Sequence, residues 1–235
     1  MVTKENIKRK APTPGPGPLG KLYLFTYNIL QFLGWSYLLY QIVIHFASGK
    51  DSTSLWEAVK FTLMIFQNAA ILEVLHVLLG LVKSNVLITG MQVASRVIVV
   101  CGVLSVTPTA PRSIGLLLLL IAWTITEIIR YLFYAINIYT KVPFFIVWCR
   151  YTLFYVLYPV GVTGELLCFY AAQKFVKQHH LWSMELPNVA NFTFSYHYFQ
   201  LAIMASYLPL FPRLYLHMVS QRKKIIGGES GKKMN

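Results

Sequence analysis

The chain has 235 residues, 56% of them hydrophobic and only 12% charged, whereas a soluble domain usually carries about 25% charged residues. That deficit, with a mean hydropathy of +0.55, excludes an ordinary soluble globule and points to an integral membrane protein. The formal net charge of +13 does not argue for nucleic acid. Much of the excess lies at the two ends, in Lys4, Lys8, Arg9, Lys10 and Lys21, then Arg222, Lys223, Lys224, Lys232 and Lys233, and basic tails on a membrane protein are expected to face the cytosol and its anionic lipid.

In chain order, residues 1–20 are polar and then rich in Pro and Gly. This composition cannot bury a core, so it predicts a disordered cytosolic tail and no cleavable signal. Six apolar runs follow, at about 22–46, 56–80, 86–106, 114–138, 144–171 and 198–219, against the roughly 20 apolar residues that span a bilayer core. The breaks between them are polar, charged or Pro-bearing: Ser48 to Ser54, Lys83 to Asn85, Thr107 to Ser113, Tyr139 to Pro143, and Gln173 to Asn191. The predicted fold is all-α, a polytopic six-transmembrane-helix bundle over 21–220, followed by a basic cytosolic tail over 221–235. No internal repeat is evident.

Six spans put both termini on one side of the membrane. The tails with Lys83 and Lys141 gather twelve Lys and Arg on that side, and the opposite loops hold four: Lys50, Arg112, Lys174 and Lys177. By the positive-inside rule the tails face the cytosol. Asn191-Phe192-Thr193 is an N-glycosylation acceptor pattern in the fifth loop, which this topology places in the lumen. The final Lys232-Lys233-Met234-Asn235 resembles the dilysine retrieval signal of endoplasmic reticulum membrane proteins, an address read on cytosolic tails.

The apolar runs carry polar residues that need partners. Glu73 and His76 are three apart, as are Glu127 and Arg130, a spacing at which helix neighbours can neutralise each other. Arg96 has no partner in its own run and is expected to meet an acid on another helix, or a ligand phosphate. Cys101, Cys149 and Cys168 all fall in apolar runs and read as buried free thiols, with no metal-ligand spacing.

The fifth run is the most informative. Tyr151, Tyr155, Tyr158, Val162 and Glu165 fall on one helical face. Pro159 cannot donate to the carbonyl of Tyr155, so a bend is expected there. Gly161 and Gly164 clear space for a close approach to the backbone. A broken helix beside a lone acid is a common way to build a site at depth, and an intramembrane Glu, costly to insert, is a functional candidate by default. Tyr158 and Glu165, seven residues apart, can both transfer protons. No His-x-x-x-His pair, Gly-x-Ser-x-Gly elbow or phosphate-binding Gly-rich loop accompanies them, so acid–base chemistry on a membrane-dissolved substrate remains.

Several motifs carry a resemblance over residues 22–224. They are Leu72-Glu73-Val74-Leu75-His76, Gln92-Val93-Ala94-Ser95-Arg96, Trp123 through Tyr131, Arg150-Tyr151, Tyr158-Pro159-Val160-Gly161-Val162-Thr163-Gly164-Glu165, and Phe211-Pro212-Arg213-Leu214-Tyr215. In these the chain resembles the very-long-chain 3-hydroxyacyl-CoA dehydratases of the endoplasmic reticulum, also called protein tyrosine phosphatase-like proteins, which act at the third step of fatty acid elongation. The resemblance implies loss of water from a 3-hydroxyacyl-CoA to give the trans-2-enoyl-CoA, without a cofactor. Its catalytic Tyr and Glu match Tyr158 and Glu165. It also implies association with the condensing elongases and the reductases of the cycle.

Within that reading Glu165 is preferred as the base at C2 and Tyr158 as the donor to the leaving hydroxyl, and the roles can be exchanged. Arg96, Arg130 and Arg150, with Tyr151 and Tyr155, are candidates to hold the CoA phosphates or the thioester carbonyl. One geometric tension stands out. If the fifth helix starts at Phe144, Glu165 lies roughly 30 Å along it, near the lumenal side and far from cytosolic CoA. Rival readings are a catalytically silent scaffold of the elongation enzymes, a transporter, and a phosphatase. The last needs a Cys with Arg six positions on, and the three cysteines are followed there by Thr107, Tyr155 and Lys174.

Overall fold

The computed structural model of the chain describes residues 16–189 and 191–232. The tail over 1–15 and the last three residues, with Lys233 of the dilysine pattern, lie outside the described residues. Among the described residues the regular structure is helical: α1 (Pro18–Ala47), α2 (Leu55–Ala69), α3 (Ile71–Leu78), α4 (Val86–Val97), a π-helical segment (Ile98–Leu104), α5 (Ile114–Tyr139), α6 (Phe144–Thr152), α7 (Phe154–Gln178) and α8 (Tyr196–Lys232). The loop between α7 and α8 closes on itself through one antiparallel bridge, Met184 to Phe194.

The helices are built inside out relative to a soluble protein. On α1 the buried side chains run Leu24, Tyr27, Asn28, Gln31, Trp35, Leu38, Ile42 and His45 at three- and four-residue intervals. The opposite face presents Leu30, Leu33, Tyr37, Tyr40 and Val43. Apolar groups therefore cover the outside, and several polar ones face in, as lipid requires. α1 begins at Pro18, whose fixed φ suits the first helical position, so the helix starts inside the segment expected to be tail.

Five helical units are long and apolar enough to cross a membrane: α1, α2 with α3, α4 with its π segment, α5 and α7. α8 is the longest helix at 37 residues, but Gln200, Ser206, Pro209, Pro212 and Arg213 interrupt its apolar run. It also continues past residue 220, so Arg222, Lys223 and Lys224 sit on helix.

α5 is the central post, packed between α1 and α7, while α8 lies against α7 and α6. The contact of α5 with α7 is backbone on backbone. A Cβ at Gly164 would lie 2.5 Å from the Leu119 nitrogen, and one at Gly115 would lie 2.6 Å from the Gly164 carbonyl oxygen. Only glycine permits this approach.

The fifth run differs from its expectation. α7 passes unbroken through Pro159, and the interruption falls at Leu153, between α6 and α7. Pro159 is the sixth residue of α7, past the amides that a helix start leaves unpaired, so the Tyr155 carbonyl loses its i+4 donor while the helix continues. Because α7 starts at Phe154, Glu165 is only about 17 Å along its helix.

Candidate active site

Tyr158 and Glu165 lie on the same face of α7, and both turn toward α8. The Tyr158 ring stacks on Phe211 with centroids 5.1 Å apart and planes 3° apart, and on Tyr215 at 6.4 Å. Glu165 is buried and holds two donors: the Trp123 indole Nε1 donates to Oε1 at 3.0 Å, and the Tyr207 hydroxyl donates to Oε2 at 2.5 Å. The two helices run antiparallel. Tyr207, Phe211 and Tyr215 on α8, spaced four apart, meet Glu165, Tyr158 and then Tyr155 on α7. Among the described residues no hydrogen bond joins Tyr158 to Glu165.

The close glycine contact explains the Trp123 bond. With Gly115 and Gly164 in contact, and Gly161 opposite the Ala122 methyl, which a Cβ added at Gly161 would meet at 3.3 Å, α5 comes near enough for its indole to reach an α7 carboxylate.

Behind Trp123 runs a ladder of ions, with Glu127 buried and Arg96, Arg130 and Glu73 partly buried. The Arg96 guanidinium sits over the Trp123 ring at 5.4 Å and pairs with Glu127. Glu127 also accepts from Arg130, and Arg130 makes a bidentate pair with Glu73 at 2.7 and 2.9 Å. Tyr131 and Tyr27 donate to Glu73 at 2.5 and 3.5 Å. Two guanidiniums thus answer two carboxylates. Glu165 is held by neutral donors alone.

The expected Glu127–Arg130 pair is therefore formed, and Arg96 meets an acid on another helix as anticipated. The Glu73–His76 pair is not formed. Glu73 turns to Arg130, which offers two N–H donors in a fork, and His76 bonds the Tyr23 hydroxyl at 2.9 Å.

The tyrosine stripe is also divided. Tyr151 belongs to α6 and packs on Phe133 of α5, with ring centroids 6.5 Å apart, whereas Tyr155 and Tyr158 face α8. Tyr155 carries the Arg222 guanidinium over its ring at 5.5 Å. Arg150 lies over the rings of Phe133, Tyr134 and Tyr151 and donates to the Tyr134 hydroxyl at 3.1 Å. Its Nη1 is buried with no partner among the described residues.

Asn191 is exposed, in the α7–α8 loop, with a φ of 48° that Asn tolerates. Cys168 is buried, while Cys101 and Cys149 are half-buried, all three free. A cleft of about 370 Å³ lined by Thr53, Trp56, Thr107 and Arg112 does not border Tyr158 or Glu165.

Sequence reasoning left Tyr207 and Trp123 out of the site. The aromatic stripe at 207, 211 and 215 was the available signal for Tyr207. For Trp123, the spacing of small residues at 115, 161 and 164 was a weaker one.

A sequence model described as protein tyrosine phosphatase-like protein, PTPLA, matches residues 67–228. The chain is 49% identical over 212 residues to the very-long-chain (3R)-3-hydroxyacyl-CoA dehydratase hpo-8 of Caenorhabditis elegans, covering 90% of this chain and 97% of that one. It is 46% identical over 212 residues to very-long-chain (3R)-3-hydroxyacyl-CoA dehydratase 2 of Mus musculus, covering 90% and 84%. With very-long-chain (3R)-3-hydroxyacyl-CoA dehydratase PASTICCINO 2 of Arabidopsis thaliana it shares 35% identity over 207 residues, covering 88% and 93%. No solved structure matches.

Proposed function

The chain belongs to the protein tyrosine phosphatase-like protein family, and from that premise we infer that it is a very-long-chain 3-hydroxyacyl-CoA dehydratase, a hydro-lyase of fatty acid elongation. We assign the chemistry to Tyr158 and Glu165. The observation that carries the assignment is a buried carboxylate with neutral donors on both oxygens, on the same helix face as a phenol set in an aromatic seam.

Glu165 takes the C2 proton, which the thioester acidifies. As the C2–C3 double bond forms, the C3–O bond breaks and the departing oxygen takes a proton from Tyr158, so that water and the trans-2-enoyl-CoA leave. With the roles exchanged the atoms balance equally. Phe211, Tyr215 and Tyr155 give the acyl chain an apolar wall beside the reacting carbons. Arg150, with its buried unpaired Nη1 and no carboxylate partner among the described residues, is the best placed cation for a CoA phosphate or the thioester carbonyl, with Tyr151 beside it. Arg96 and Arg130 reach substrate only by sharing the carboxylates that already hold them.

In this reading α8 is the sixth span, both termini are cytosolic in the endoplasmic reticulum membrane, and Asn191 faces the lumen as a glycosylation acceptor. The condensing elongases and the reductases of the cycle are the partners. The test is product analysis of the purified chain given a 3-hydroxyacyl-CoA. Tyr158→Phe and Glu165→Gln are each expected to lower kcat by about 10²-fold or more with thermal unfolding unchanged. Near-normal turnover by either variant would remove that residue from the mechanism.

A further inference from the structure

A CoA thioester carries its phosphates at the far end of a flexible pantetheine arm. A cation that holds them must therefore stand well beyond the reacting carbons, at one end of the site. Arg96 and Arg130 are committed to the carboxylates of Glu127 and Glu73, and Arg150 is turned to the α5 side of α6, over Phe133 and Tyr134.

Arg222 stands where the aromatic seam ends. Arg222 lies three turns past Phe211, so Tyr207, Phe211, Tyr215 and Arg222 share one face of α8. Phe211 is the ring on which Tyr158 stacks, which places the Arg222 backbone roughly 16 Å along α8 from the level of that phenol. The guanidinium lies over the ring of Tyr155 at 5.5 Å, one turn before Tyr158 on α7. Its Nε donates to Thr152 Oγ1 at 3.3 Å, at the last residue of α6. Arg222 is half-buried and pairs with no carboxylate among the described residues. Its two terminal nitrogens make no hydrogen bond there, so the fork that a guanidinium offers to a phosphate is open. Lys223 and Lys224, the next two residues, are exposed and add positive charge at the same end of α8.

We propose that Arg222 binds the nucleotide phosphates of the CoA thioester and so sets the acyl group in register with Tyr158 and Glu165. This rests on the dehydratase reading, in whose topology this end of α7 and α8 faces the cytosol, where CoA is found. A guanidinium there meets a lipid phosphate by the same chemistry, so the test separates the two sources.

The purified full chain in neutral detergent is given one 3-hydroxyacyl group on two carriers, CoA and the phosphate-free N-acetylcysteamine. Arg222→Gln is expected to raise KM for the CoA thioester about tenfold or more, with kcat within about twofold, and to leave kcat/KM for the short thioester within about twofold. Arg222→Lys, which keeps the charge without the fork, is expected to fall between. Inhibition by free CoA, which needs no turnover of the short thioester, is expected to weaken by the same factor in Arg222→Gln. Equal losses on both carriers, or no loss on either, would overturn the assignment. So would a difference that arises only when phosphatidylserine is added to the micelles, since that marks a lipid site. Should the Gln variant not fold, the Lys variant against wild type decides by the same comparison. Wild-type protein inactive on both carriers would instead refute the dehydratase reading, and this inference with it.

Discussion

A carboxylate in a bilayer must be answered by a donor, and the kind of donor separates the acids of this chain into two groups. Glu73 and Glu127 are answered by guanidiniums and form a closed ladder, whereas Glu165 is answered by an indole and a phenol. The ladder is structural: replacing Arg130 by Met leaves Glu73 without its bidentate partner and Glu127 with Arg96 alone. Breaking such a buried network costs about 3–5 kcal/mol, so thermal unfolding of Arg130→Met in detergent is expected to show a large loss of stability. The shared face of Tyr158 and Glu165, the pair proposed to react, was legible in the sequence because the two lie on one helix and in one motif. Tyr207 was not, since its partner lies 42 residues away and periodicity within one helix says nothing about which neighbour that helix meets. The same limit explains Glu73. The local rule offered His76, but Arg130, 57 residues on, makes the stronger bond.

At the level of helices, glycines at one crossing decide whether the site exists. Adding a methyl at Gly164 drives it to 2.5 Å from a backbone nitrogen of α5, where no side chain can swing aside. Gly164→Ala is therefore expected to cost about 1–3 kcal/mol and to lose dehydration activity as Trp123 is pushed away from Glu165. Gly161→Ala meets only the Ala122 methyl at 3.3 Å and is expected to be much milder in the same assays. Gly161 and Gly164 announced a close approach from the sequence, and that approach is present. The break at Leu153 was not announced, because Arg150 to Phe154 contains neither Pro nor Gly. The visible breaker, Pro159, lies inside α7 without ending it.

For the whole molecule, hydropathy was enough to identify an all-helical chain in which, among the described residues, five helical units are long and apolar enough to cross a membrane. It was least decisive for α8, where Gln200 accepts from Gln173 of α7 while Pro209, Pro212 and Arg213 stay exposed, and all of them dilute the apolar signal. Whether α8 crosses fixes the side on which the chain ends. With six crossings, tags at both termini of the protein in sealed microsomes are expected to be cut by added protease, and a cysteine placed near Asn191 to be shielded from an impermeant thiol reagent. Protection of the C-terminal tag alone would mean that α8 does not traverse.

The ladder also ties the first helix to the rest in a way the matched family segment, residues 67–228, does not convey. Tyr27 on α1 caps Glu73 from outside that segment, and Tyr23 does the same for His76. A truncated chain beginning at residue 67 would keep the whole aromatic seam but expose the far rungs to lipid. Any minimal version of this protein must therefore carry α1, even though neither Tyr158 nor Glu165 resides there.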